Sequence, residues 1–425
     1  MAEAARSIHG DNVKANEVTI GIVAALWIEG LAMGALIDEI TPLPPIPADP
    51  NHYRIGRLPS SQSGRPHSLV LTTMPQDSTR NAAAICTNLI RSFPQVQCVI
   101  MVGIAGGVPA PEHPERHVRL GDIVVATDGV VDCTHVRVVD GTTTPRRHLE
   151  RMSDAMTRAV LELRGDEFKG KPHWARWLDT AQRPELKNFA RPRANSDVLY
   201  VRGQRVSHPN RRQSGHPPGL PKVHYGSIAS GDILLRDEAR RDELAAQYGV
   251  CAVEMEAAGI AAGAVTLRRH WFMIRGIADY CDNVGKNDTW HPYASLAAAA
   301  YVRAMLAACH PFDSTAEAGP SDGEEPREVI SEKRVARTDL RCQDAAQQLV
   351  GNNFWESLSN RRSFTNVLRT KVPIDLSETP ESDPAAHLSG AERRPGGREG
   401  TGREDAGDLR GSAGPGAPLH PVRAH

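Results

Sequence analysis

Three acidic residues each stand just beyond an apolar run with the composition of a buried strand. Glu29 follows VTIGIVAAL (18–26), Glu256 follows VCAVEM (250–255), and Asp279 ends WFMIRGIA (271–278). In an open parallel sheet, ligands bind beyond the carboxyl ends of the strands. A fourth run, CVIMVGIAGGV (98–108), breaks at Gly106 and Gly107, where the backbone can approach a ligand closely. Several acids without a basic cradle suit two chemistries. Carboxylates hold Mg²⁺ for phosphoryl chemistry. Alternatively, they serve a reaction whose transition state is cationic. Glycosidic cleavage is of this kind: one acid protonates the leaving group and another activates water. The sequence has no tight DxD cluster and no GxxxxGK[ST] phosphate loop, which favours the second chemistry.

Each acid also has a purely structural reading. Glu256 suits a helix N-terminus, where anions are favoured. Glu29 suits the first turn of a helix, and Asp279 suits a turn. Arg275 lies four residues before Asp279. Strand alternation places both on one face if the strand continues, so an ion pair would hold Asp279 in a set orientation. Delivery of all three acids to one sheet edge is what separates a site from three unrelated caps.

The elements that would position these residues follow from the hydrophobic pattern. HSLVLTTM (67–74), GDIVVAT (121–127) and YGSIASGD (225–232) are further strand-like runs. Helix-like stretches lie between the runs: EGLAMGALIDEI, TRNAAAICTNLIRSF, RDEARRDELAAQY, EAAGIAAGAVTL and ASLAAAAYVRAMLAAC. This alternation predicts an α/β protein: a three-layer fold with a mixed, mainly parallel central sheet and helices on both faces. The segment 145–222 breaks the rhythm. Its stretch RPRANSDVLYVRGQRVSHPNRRQSGHPPGLPK is basic and rich in Pro and Gly, and reads as a solvated excursion or as a lid over the site. As a lid, it would offer Arg202, Arg205, Arg211 and Arg212 to a substrate phosphate. Composition divides the chain into an N-terminal extension (1–17), one domain (18–312), a linker (313–337), a short helical segment (338–377) and a tail (378–425). The tail has almost no large apolar side chains and is expected to be disordered. No internal repeat is found.

The formal net charge of -1 gives no global attraction to nucleic acid or to an anionic membrane, and aromatics make up only 5% of residues, too few for a base-stacking surface. No apolar run reaches the roughly 18 to 20 residues of a membrane span. The seven cysteines are scattered singly, without a CxxC pair, and the first residues lack a signal pattern. Both features suit reduced thiols and a cytoplasmic location.

In order along the chain, IGIVAALWIE, VIMVGIAGGV, SIASGD, AVEMEAAGIA and IRGIADYCD resemble the motifs of the purine nucleoside and uridine phosphorylase superfamily. They are most similar to its nucleosidase branch, typified by methylthioadenosine/S-adenosylhomocysteine nucleosidase. The ending RGIADYCDNVGKNDTWHPYA also resembles the phosphorylase-like domains of NLR-type immune proteins. The resemblance implies roles. Asp279 would protonate the purine N7 as the base leaves, a task suited to a carboxyl whose pKa burial raises. Glu256 would accept hydrogen bonds from both ribose hydroxyls, which one carboxylate can do. Met255 would pack on the sugar, with Glu254 as a polar support beside it. Glu29 would position the attacking water, and Arg275 would brace the acid. Gly106, Ala105 and Ile104 would line the turn around the ligand, with Leu234 against the base.

Departures from the family pattern bear on the reaction. Phosphorylases of this family place an arginine in the first strand–helix loop, and AALWIEGLAM has none. Met101 and Ile104 stand where a cation and a hydroxyl are expected, and Ala278 replaces a serine. A phosphate dianion buried without a counter-charge costs several kcal/mol, on the order of a lost charge pair. Hydrolysis of a purine nucleoside or nucleotide is therefore expected over phosphorolysis. No cofactor or metal is expected, beyond inorganic phosphate if the chain is a phosphorylase. The expected partner is a small nucleoside or nucleotide, not nucleic acid or membrane, and the resemblance implies a homo-oligomer, dimer or higher. The alternatives are a phosphorolytic enzyme, or a nucleotide-sensing effector module of an NLR-like system.

Overall fold

The computed structural model describes residues 15–312, apart from 141, 146–147, 150–151, 212–215 and 285–287. Arg212, the linker, the short helical segment, the tail and most of the N-terminal extension lie outside the described residues.

The apolar runs become strands because each is covered on both faces. β1 (Ile20–Ala24) is buried at every position and leads into α1 (Trp27–Gly34). β2 (Asp38–Pro42), β3 (Tyr53–Leu58) and β4 (His67–Thr73) follow, then α2 (Thr79–Ser92), capped by the Ser78 hydroxyl accepting from the Asn81 N–H. β5 (Cys98–Gly107) is the long central strand. β6 (Ile123–Val125) and β7 (Val130–Asp132) come next. A hairpin of β8 (Val136–Val139) and β9 (Thr142–Pro145) precedes β10 (His148–Leu149) and α3 (Asp154–Phe168). A second hairpin joins β11 (Leu199–Val201) to β12 (Gln204–Val206). The chain continues through β13 (Val223–Tyr225), β14 (Ser227–Ser230), α4 (Glu238–Tyr248), β15 (Val250–Glu254), α5 (Ala257–Thr266), β16 (His270–Asp279) and α6 (His291–Ala308).

Twelve strands form one sheet in the order β10-β7-β14-β15-β5-β1-β4-β3-β2, with β16 joining β5 to β6 and β13 pairing with β6. The β1–β4, β1–β5, β5–β16, β7–β14, β14–β15 and β6–β13 pairs are parallel. The β2–β3, β3–β4, β5–β15, β6–β16 and β7–β10 pairs are antiparallel. α2 packs on α5, while α1 and α3 pack on α6. α6 is buried without a break from Tyr293 to Leu306, because its alanines let the helix sit close against the sheet and its neighbours. The fold is therefore the expected α/β arrangement with a mixed, mainly parallel sheet.

Two local expectations are corrected. The helix expected through IDEI ends at Gly34, and residues 38–42 form β2, paired with β3. Ile40 and its neighbours satisfy helical spacing and strand alternation equally well over so short a stretch. Within 145–222, residues 154–168 form a helix that buries Met156, Ala159, Val160 and Leu163 at helical spacing. The far end of this excursion is anchored to the core at Asp122. That carboxylate accepts from Arg211 Nη1 at 2.8 Å and Lys222 N at 2.9 Å, and lies 3.0 Å from His224 Nε2.

Candidate active site

Glu29 lies in the first turn of α1, 2% exposed. Its Oε2 accepts from Ala25 N and Leu26 N, each at 2.7 Å, and its Oε1 accepts from Ile104 N at 2.7 Å. One carboxylate therefore caps the helix and ties β1 to β5. The close approach is possible because residue 103 is glycine: a Cβ there would collide with the Glu29 carboxylate and the Arg275 guanidinium.

Arg275 stands opposite Gly103 in the β5–β16 register and is fully buried. Its Nη2 pairs with Glu254 Oε2 and lies 2.8 Å from Glu256 Oε2, and its Nη1 lies 3.9 Å from Glu29 Oε1. These glutamates replace the partner expected from sequence, Asp279. The register of β16 is irregular between Ile277 and Asp279, which breaks the strand alternation on which that expectation rested.

Glu254 and Glu256 divide two tasks between them. Glu254 accepts from Glu256 N at 3.0 Å and from Ala257 N at 3.1 Å, so it caps α5. Glu256 occupies the N-cap position but makes no side-chain cap bond. Its carboxylate instead meets Arg275 at the wall of the cavity.

Charge is unevenly balanced here, with one guanidinium facing three carboxylates away from solvent. Burial raises the pKa of Glu29, against lowering by Arg275 and by the N–H groups of Leu26, Ile104 and Ala25. Burial pushes Glu256 up to about 8; Arg275 opposes this, while Glu254, Glu29 and Asp77 add to it. The carboxylates in turn raise the Arg275 pKa against its own burial.

Asp279 ends β16, half-buried, and its Oδ1 accepts from Cys281 N at 2.9 Å. Cys281 has φ +54°, a left-handed conformation uncommon for a residue with a side chain. Gly106 lies opposite, where a Cβ would strike the Cys281 sulfur and crowd Asp279 Oδ1.

These groups surround one cavity of about 280 Å³ beyond the strand ends. Glu29, Glu254, Glu256 and Asp279 line it with their acids. Ile104, Ala105, Gly106, Met255 and Leu234 supply apolar or backbone surface, and Arg275 sits behind the glutamates. Leu234 is 56% exposed and contributes to the mouth. Further lining residues went unread in the sequence, among them Asp77, Arg236, Asp288 and His291. Asp77 follows β4, so the strand-end rule that found the other acids also reaches it. His291 opens α6, 3.3 Å from Asp288, and both lie within DTWHPYA. Arg236 is exposed and has no ion-pair partner among the described residues. Among the described residues, no group of three or more His, Cys, Asp or Glu side chains is arranged to hold a metal ion.

The described part of the basic excursion does not form a lid over the site. No described residue of 187–222 lines the carboxylate cavity. Arg211 lines a separate cavity of about 390 Å³ with Arg119, Asp122 and His208, and its charge is answered by Asp122. Arg202 lies at the tip of the β11–β12 hairpin, where its backbone N–H bonds Glu238 at 2.9 Å.

A mixed sheet covered by helices, with an acid-lined cavity beyond its strand ends, defines the α/β class of this protein. Residues 19–307 match the model of the phosphorylase superfamily, and the chain belongs to that family. A nucleotide-binding leucine-rich repeat (NLR)-like protein of Hyaloscypha variabilis is 28% identical over 315 residues, 69% of this chain and 30% of that protein. The chain thus spans about 30% of that relative's length. Among solved structures, an S-adenosylhomocysteine nucleosidase from Streptococcus pyogenes is similar at 19% identity and TM-score 0.47, covering 68% of this chain and 97% of that one. A 5'-methylthioadenosine/S-adenosylhomocysteine nucleosidase from S. pneumoniae is similar at 20% identity and TM-score 0.45, covering 68% and 99%. Futalosine hydrolase of Helicobacter pylori is similar at 16% identity and TM-score 0.44, covering 68% and 97%. No described helix is long and apolar enough to cross a membrane.

Proposed function

We propose that this protein hydrolyses the N-glycosidic bond of a purine nucleoside or nucleotide. The observation that supports this best is the meeting of Glu29, Glu256 and Asp279 on one cavity, with the helix-capping duty taken by Glu254 and not by Glu256. Glu256, turned toward the cavity, binds the ribose hydroxyls, and Met255 packs against the sugar. Asp279 delivers a proton to the departing base, so that the base leaves neutral. As the bond breaks, positive charge grows on the sugar, and the acid-rich wall stabilises it. Glu29 spends three of a carboxylate's roughly four lone-pair sites on backbone N–H groups, which leaves one to hold a water. That water attacks the sugar carbon and gives up its proton to Glu29, yielding free base with ribose from a nucleoside or ribose 5-phosphate from a nucleotide.

The same geometry disfavours phosphorolysis. Arg275, the buried cation behind the wall, is already shared by three glutamates, so a phosphate dianion entering beside them meets net negative charge. Arg236, an exposed cation among the lining residues, offers a counter-charge to a 5′ phosphate and so favours a nucleotide over a nucleoside. The NLR-like relative supports a second reading, in which the domain senses a nucleotide within a larger assembly and turns it over slowly. A homo-oligomer, cytoplasmic location and absence of cofactor remain part of this proposal.

The test is to incubate the protein with a panel of nucleosides and nucleotides, with and without phosphate, and to follow free base by chromatography. Base without added phosphate, together with free ribose from a nucleoside or ribose 5-phosphate from a nucleotide, supports hydrolysis. Base that appears only with phosphate, together with ribose 1-phosphate, marks a phosphorylase. Binding without base release marks a sensor.

A further inference from the structure

Tyr280 lies between the acid Asp279 and the left-handed Cys281, and both of its ends are fixed. Its hydroxyl donates to Asp197 Oδ1 at 2.7 Å and accepts from Leu120 N at 3.2 Å. Its backbone carbonyl accepts from Arg241 Nη1 of α4 at 2.7 Å, and Arg241 is 1% exposed. Asp197 belongs to the basic excursion, and its side chain is wholly buried. Besides Tyr280, it accepts from Arg119 Nε at 2.9 Å and pairs with His208 Nε2 at 3.2 Å. Burial alone would raise the Asp197 pKa, yet His208, Tyr280 and Arg119 hold it below the ordinary value.

The chain of bonds continues away from the site and has one direction. Ala110 N donates to His117 Nδ1 at 3.1 Å, so Nδ1 is an acceptor. His117 is uncharged, since burial pushes its pKa down to about 3, with His208 and Arg211 lowering it further. Its proton therefore sits on Nε2, which donates to His208 Nδ1 at 2.9 Å. His208 then presents an Nε2 proton to Asp197, bonding its backbone carbonyl at 3.2 Å with the carboxylate Oδ1 also 3.2 Å away. Every donor in this series points toward Asp197, and Asp197 answers by fixing the Tyr280 hydroxyl.

We infer that Tyr280 and Asp197 form a positioning pair, through which the excursion 187–222 sets the orientation of the strand end that carries Asp279. This rests on the reading of Asp279 as the acid that protonates the base. The described part of the excursion acts on the site from behind and lines none of the cavity. With residue 280 fixed at its side chain and at its carbonyl, the peptide plane that joins it to residue 281 is held, which aims the Cys281 N–H at Asp279 Oδ1. Without the Tyr280 anchor, that peptide plane rotates and the N–H turns away from the acid. A misplacement of about 1 Å in a reacting group costs up to about 100-fold in rate.

The experiment compares Tyr280→Phe, Asp197→Asn, the double variant and Asp279→Asn in the full chain. Tyr280→Phe removes one oxygen from a site that keeps its ring packing, and either folded single variant tests the pair. The inference predicts a fall in kcat of about tenfold in each single variant, an unchanged KM, and a double variant no worse than either single, as for groups that act as a unit. It also predicts faster hydrogen exchange at the Cys281 amide, with exchange in β5 unchanged, a readout that requires no substrate. Wild-type kcat and wild-type Cys281 exchange in Tyr280→Phe, with Asp279→Asn inactive, would overturn the positioning pair and leave the acid in place. An active Asp279→Asn would instead overturn the reading of the acid, whatever Tyr280→Phe does.

Discussion

The Arg275 guanidinium lies 2.8 Å from the Glu256 carboxylate, and the same group pairs with Glu254 and, at 3.9 Å, with Glu29. One buried cation thus gathers acids from α1, the end of β15 and the start of α5 at a single point. The cavity wall takes its shape from this junction, and its excess of negative charge is the feature on which the proposed chemistry depends.

Removing that cation leaves three buried carboxylates without their counter-charge. Breaking a buried pair by deleting one partner typically costs about 3–5 kcal/mol. Arg275→Met is expected to lose stability in that range in a denaturant titration, and to lose activity with it. A loss under about 1 kcal/mol would show that the carboxylates find water or protons instead of needing Arg275.

The close approach at Gly103 makes a narrower prediction. Gly103→Ala forces a methyl against the Glu29 carboxylate and the Arg275 guanidinium. Overpacking of this kind costs about 1–3 kcal/mol, and it should also displace Glu29 and slow base release. Gly165 of α3 is the control, because a Cβ there meets nothing within 4 Å. Gly165→Ala should raise stability by about 0.5–1 kcal/mol by the helix preference of alanine. Thermal melts of both variants check the contrast.

Glu256 imposes a pH dependence of defined sign. Its folded-state pKa, about 8, lies above the ordinary 4.5, so the native chain binds this proton more tightly than the unfolded chain. The contribution is fully present below 4.5 and is lost as pH rises toward 8. Burial raises Glu29 in the same direction. Stability of the wild type should therefore fall between these limits relative to Glu256→Gln, whose neutral amide has no proton to lose. Equal slopes for the two proteins would contradict a raised Glu256.

The main architecture was legible because its strands are long, apolar and buried. β1, β4, β5 and β15 each lie within a run read from the sequence, and β16 extends one residue beyond its run at each end. What escaped was short or ambiguous. β2 is mostly exposed and its few apolar residues fit either period, so its pairing with β3 decides the conformation. α3 lies in a segment whose overall basic, Pro-rich composition obscured a fifteen-residue helix. At the site, the acids at strand ends were visible because one rule applies to all of them. The partner of Arg275 was not, because the irregularity after Ile277 depends on how β16 runs along β5. The division of labour between Glu254 and Glu256 was also hidden. Both are acids near one helix start, and only the backbone geometry decides which one bonds its N–H groups.

Base release by Asp279→Asn in phosphate-free buffer tests the central claim most directly. Asparagine keeps the shape of the side chain and removes the transferable proton. Wild-type protein should release free base from a nucleoside or nucleotide, while Asp279→Asn, with an unchanged melting temperature, should release base at least about 100-fold more slowly. An Asp279→Asn variant that works at the wild-type rate would contradict the account, because the departing base would then take its proton from elsewhere.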